Sequence, residues 1–132
     1  FLEVPDHLPF QTAALSSENQ LVYRADPNWH ITVYDPSTAG NGFLLYARMD
    51  APLQTAQGDL LENGLVFAGS GGRLPVTDTD LLIAQGNPAD GKDTYTIQWP
   101  DDEGLLVWLP AFEGVPGTAY TGTITWTLVD GP

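Results

Sequence analysis

The chain has no cysteine, which excludes a disulfide framework, thiol catalysis and thiolate metal sites. Basic residues are almost as scarce. Arg24, Arg48, Arg73 and Lys92 stand against 17 Asp and Glu, for a net charge of −13. A surface of that sign repels nucleic-acid phosphates and anionic lipid headgroups, so nucleic acid is excluded as a partner. No apolar run approaches the roughly 18 residues of a membrane span, and no signal peptide is visible. The sequence begins at Phe1 rather than Met and is read as a mature or excised piece.

What is present points to one domain. With 132 residues, 42% of them apolar, the chain has room for a hydrophobic core. Eleven Pro and 14 Gly are spread between short apolar runs instead of forming one tract, the distribution expected of an all-β protein with many turns. No internal repeat or linker divides residues 1–132.

The clearest strand is the last. From Tyr120 to Leu128, Tyr120, Ile124, Trp126 and Leu128 fall on one face, and Thr121, Thr123, Thr125 and Thr127 on the other. Such alternation of β-branched and aromatic residues predicts a half-buried strand, stopped by Asp130-Gly131-Pro132. Elsewhere, Phe1–Phe10 reads as a strand broken by Pro5 and Pro9, and Gln20–Arg24 as a short one. Gln11–Asn19 fits a helical turn or a strand. Trp29–Tyr34, with Trp29, Ile31 and Val33 in phase, and Phe43–Met49 suggest a hairpin across a Gly-containing loop. Asp50–Gln57 reads as irregular, Leu65–Ala68 as a strand, Gly69-Ser70-Gly71-Gly72 as a flexible loop, and Thr77–Gln85 as a strand or a short capped helix. Asn87–Asp93 is a turn. Thr94–Trp99 and Leu105–Leu109 flank Pro100-Asp101-Asp102-Glu103-Gly104, a hairpin signal. The expectation is an all-β domain of about eight to ten short strands, a two-layer β-sandwich or partly closed barrel, with the last strand central or near-central.

Tyr120, Ile124, Thr125, Trp126, Leu128 and Pro132 together fill a pattern that resembles the C-terminal signature of the WxL domain. That family is a cell-surface domain of Gram-positive bacteria associated with non-covalent attachment to the wall. The likeness extends upstream: Ile31-Thr32-Val33-Tyr34-Asp35, a Gly-containing loop, then Gly42-Phe43-Leu44-Leu45. Phe43 stands where the family's first Trp falls, with Leu45 completing Phe-x-Leu, and Asp35-Pro36-Ser37 replaces the usual Asp-Thr-Arg. The resemblance implies a non-enzymatic module on the surface of a Gram-positive bacterium that binds peptidoglycan or another wall glycan, as the C-terminal part of a longer protein. It also implies companion surface proteins as partners, and its motif makes Tyr120, Thr125, Trp126, Leu128, Phe43 and Leu45 the binding positions.

The residues themselves offer further candidates. Trp126, in phase with Ile124 and Leu128, reads as core, or with Tyr120 as a platform for sugar rings. Trp29, Trp99 and Trp108, with Tyr34, Tyr46 and Tyr95, are candidate exposed stacking residues, because Trp108 is out of phase with Leu105, Val107 and Leu109. Asp101-Asp102-Glu103, Asp78 with Asp80, and Asp90 with Asp93 offer oxygens to calcium, but none has the EF-hand spacing, and acidic turns are ordinarily solvated. No metal or cofactor is expected. His7 and His30 lack a Gly-x-Ser-x-Gly elbow or a Cys partner, and the Gly-rich loop lacks a Gly-Lys-Ser/Thr ending. Two alternatives remain beside wall binding: a protein–protein module docking onto a basic surface partner, and a fragment of a carbohydrate-active enzyme using two carboxylates.

Overall fold

Phe43, Leu45, Ala47 and Met49 alternate with Leu44, Tyr46, Arg48 and Asp50, and this period of two builds the longest strand of the protein. The computed structural model of the chain describes residues 2–14, 16–34, 42–87 and 93–130. Within them run β1 (Leu2–Glu3), β2 (Gln20–Val22), β3 (Ile31–Tyr34), β4 (Phe43–Gln54), β5 (Leu65–Gly69), β6 (Gly72–Pro75), β7 (Leu81–Gly86), β8 (Thr94–Ile97), β9 (Gly104–Leu109) and β10 (Thr121–Asp130). Every pairing is antiparallel. The sheets have the orders β1-β3-β8, β10-β4-β7 and β2-β9-β5-β6. The all-β sandwich expected from the sequence is what the chain forms.

Two layers follow from where β4 buries its apolar face. Its first half, Phe43, Leu45 and Ala47, packs with Trp29, Ile31 and Val33 of the β1-β3-β8 side. Farther along, Met49 packs with Leu65, Val76 and Leu105 over the β2-β9-β5-β6 sheet. One sheet therefore roofs two others. β4 continues to Gln54, so the stretch from Asp50 read as irregular is strand for its first five residues. Of Thr77–Gln85, the part from Leu81 on is the strand β7, and Thr77–Asp80 is not strand.

Two expected hairpins do not form. β3 and β4 lie in different sheets, and the loop at 35–41 between them is outside the described residues. β8 pairs with β3, whereas β9 pairs with β2 and β5. The turn Pro100–Gly104 therefore carries the chain from one sheet to another. Gly104 shows why an arch is specified there. Its φ is +81°, and an added Cβ would lie 2.3 Å from the Trp99 ring, so only glycine lets Trp99 fold back over the start of β9.

The remaining differences concern edges. β10 pairs with β4 alone among the described residues and is an edge strand, not a central one. The centre belongs to β4, which pairs with β10 along one edge and with β7 along the other. Gly69–Gly72 is no flexible loop but a tight turn joining β5 to β6, with Gly69 opposite Gly72. The strand β6 was not legible because Gly-Arg-Leu-Pro carries too little apolar alternation.

Candidate functional site

The motif positions divide between core and turn. Phe43 and Leu45 are fully buried. Across the sheet Trp126 stands opposite Ala47 and Leu128 opposite Leu45, and both pack on that core. The Trp126 ring lies 6.3 Å from Trp29. Tyr120 precedes β10, packs with Val22, Leu61 and Leu109, and its hydroxyl accepts a hydrogen bond from the Val115 N–H at 2.8 Å. It closes the turn ahead of the strand. Pro132 lies outside the described residues.

The three tryptophans expected at the surface are not free stacking platforms. Trp29 is only 5% exposed, stacks on Trp99 at 6.2 Å and donates its indole N–H to the His7 carbonyl at 2.9 Å. Trp99 is half-buried, with the Arg24 guanidinium 5.6 Å from its ring centre and Phe67 edge-on to it. Trp108 does lie on the outer side of its sheet, with Leu21, Val66, Ala68 and Leu106. However, Arg73 covers its ring at 3.5 Å. Tyr95 meets Phe43 edge-to-face. The physical reason differs by residue: Trp29 and Trp99 fill space between the layers, whereas Trp108 is covered on the outer face by a cation.

Thr125 fares differently. The outward face of the β10-β4-β7 sheet gathers the threonine side of the last strand with the polar side of β4. Thr127, Tyr46 and Leu82 form one row across the three strands, and Thr125 lies beside Arg48 in the next. The Thr125 hydroxyl donates to the Asp50 carboxylate. Arg48 donates to the other Asp50 oxygen at 3.1 Å and approaches Asp80 at 3.9 Å. The hydrogen bond from Thr125, then that from Arg48, holds the Asp50 carboxyl below the usual carboxylate range. A lowered folded-state pKa means that the network's contribution is present above the unfolded pKa. It is lost as pH falls through the folded one. An NMR titration should give Asp50 a midpoint below that of an ordinary Asp, and Thr125→Val should move the midpoint up. An unchanged midpoint in that variant would remove Thr125 from the network.

On the far side of β10 lies a cleft of about 1250 Å³. It is lined by Ile124 and Trp126 of β10, by Val4, Leu8 and Phe10 of the N-terminal segment, by the 114–120 loop, and by Leu65 and Leu109. A second, shallower cleft of about 670 Å³ joins Trp108 and Tyr120 to Asp59, Glu62, Asn63 and Glu113.

Comparison with protein-family models, with curated proteins and with solved structures gives no match.

The carboxylate candidates do not converge. Asp101, Asp102, Asp78 and Asp80 are exposed and Glu103 half-buried, and among the described residues no three His, Asp or Glu side chains come together. Asp90 is outside the described residues. Both histidines are exposed. Among those residues, too, no helix is long and apolar enough to cross a membrane.

Two residues were missed. Arg24 is 4% exposed and donates to four main-chain carbonyls: Glu103 at 2.7 Å, Pro100 at 2.9 Å, Leu105 at 3.0 Å and Trp99 at 3.3 Å. Its burial lowers its pKa against the opposing pull of Asp101. The signal was there: Arg24 is in phase with Val22 and therefore on the inward face. Phe112 is 81% exposed at φ +63°, and nothing in the loop composition marks it.

Proposed function

We propose that this chain is a non-catalytic attachment module of a Gram-positive cell surface, and that it takes peptidoglycan on the outward face of the β10-β4-β7 sheet. The observation that carries the reading is the arrangement of Tyr46 between Thr127 and Leu82, beside the Thr125–Asp50–Arg48 network. A face of three antiparallel strands offers an extended surface to a polymer. Hydroxyl, guanidinium and carboxylate groups hydrogen-bond to sugar hydroxyls and acetamido groups, and a tyrosine ring offers an apolar body with a polar tip. The likeness of the last strand to the WxL signature supports the same reading, since its threonines supply one side of this face.

Co-sedimentation with purified Gram-positive peptidoglycan tests it. The parent should pellet with the sacculi and be little affected by added salt, because the sugar hydroxyl and acetamido groups it contacts carry no charge. Tyr46→Ala should weaken binding roughly tenfold, the loss of one ring contact, while keeping the parent's far-ultraviolet circular dichroism. A parent that stays in the supernatant, or a folded Tyr46→Ala that binds like the parent, would end the proposal.

A further inference from the structure

β10 has a second side. Its edge away from β4 has no partner strand among the described residues, and the large cleft opens beside it. An edge strand presents a row of main-chain N–H and C=O groups, and proteins ordinarily guard such rows with charges, prolines, bulges or a covering segment. Here Thr121–Val129 contains no Pro, Lys, Arg, Asp or Glu. Its register shifts lie at the Thr121–Ile124 end, and from Ile124 to Asp130 the ladder with β4 is regular.

The N-terminal segment that lines the cleft together with β10 does not pair with that edge. Its hydrogen bonds go elsewhere: Gln11 N–H to the Tyr23 carbonyl and Ala25 N–H to the Pro9 carbonyl, both at 2.9 Å, with Phe10 bridged to Arg24. Pro5 and Pro9 have no N–H to offer a ladder. The cleft is mostly apolar, and at about 1250 Å³ it exceeds the roughly 300–1,000 Å³ of small-molecule pockets. A strand hydrogen-bonded to the free edge of β10 would place alternate side chains in it, beside Ile124 and Trp126, and would extend the roof of the sandwich by one strand.

Charge selects the occupant. Among the residues lining the cleft Asp6 is the one acid, and there is no Lys or Arg. Of the protein's four basic residues, Arg24 is engaged with main-chain carbonyls, Arg48 with Asp50 and Asp80, and Arg73 lies on Trp108; Lys92 is outside the described residues. At a net charge of −13, a second copy of this chain is repelled and a cationic segment is attracted. We propose that the free edge of β10 and the adjoining cleft receive an extended segment of a partner protein, with alternating apolar side chains and Lys or Arg at its flanks. This stands apart from the glycan reading, which uses the opposite face of the sheet.

Selection of a random decapeptide display library against the intact protein, at low salt, tests the proposal. Enriched peptides should alternate apolar and β-branched residues and carry Lys or Arg at their ends. A synthetic copy of the best should bind one to one and slow amide exchange in β10 while leaving that of β6, the edge of another sheet, unchanged. Replacing its basic residues by Glu should weaken binding roughly tenfold or more. Failure to enrich any sequence, enrichment without alternation, equal binding by the Glu version, or protection outside β10 would each overturn the proposal. So would a homodimer that already protects β10 in the absence of peptide.

Discussion

Arg24→Met is expected to lower the stability of the protein by about 3–5 kcal/mol, the range for breaking a buried, hydrogen-bonded charged group. The guanidinium is nearly inaccessible and fans its donors over the carbonyls of Trp99, Pro100, Glu103 and Leu105. Three of those groups, on Trp99, Pro100 and Glu103, belong to the arch that passes from β8 to β9, which no ladder between these strands holds; the fourth, on Leu105, is at the start of β9. Methionine fills similar space but donates nothing, so the carbonyls lose their partners in a part-buried site. Lysine should recover only part of the loss, because one ammonium cannot span four acceptors in a planar fan. Urea titration is the measurement, with the midpoint falling and the slope unchanged if the folded state stays compact. A midpoint within about 1 kcal/mol of the parent, the scale of an exposed ion pair, would mean that packing of Trp99 alone holds the arch.

The next largest effect is expected at Trp29. Trp29→Ala removes a buried ring that stacks on Trp99 and meets Trp126, and should cost about 3–5 kcal/mol as cavity and transfer losses combine. Trp29→Phe should cost less, since it keeps an aromatic body but leaves the His7 carbonyl without the indole N–H. The near-ultraviolet circular dichroism should change in both variants, because three indoles share one cluster. The same pair decides whether Trp29 touches wall glycan. A stable Trp29→Ala protein that no longer pellets with peptidoglycan would make the residue a contact and contradict its place in the core.

These residues also show how far the sequence could be read. Alternation located β4 and β10 because each has one buried face, and the period of two is visible without knowing what covers it. Trp29 was legible as core for the same reason: it is in phase with Ile31 and Val33, and its candidacy as an exposed platform set that phase aside. Pairing was less legible. Pro100–Gly104 has the composition of a hairpin turn, yet the same residues serve an arch between sheets. What distinguishes the two is the contact of Arg24 with carbonyls 75 to 81 positions away. Turn chemistry is local and that contact is not. The outward face with Tyr46, Arg48 and Asp50 was half legible: the threonine row announced a polar side, but its neighbours depended on which strand lies beside β10.

The roofing role of β4 has a consequence for how the chain reaches its folded state. Its first half belongs to one core and its second half to another, and its longest ladder is with a strand that begins at Thr121. Thr125 and Asp50 meet across 75 positions, and Arg24 meets Leu105 across 81. Few contacts are available early, and loop-closure entropy must be met before the distant pairs form. Such a topology belongs with the domains that fold in milliseconds to seconds rather than microseconds. Until β10 arrives, one side of β4 stays open, and both cores wait on a strand drawn from the far end of the chain.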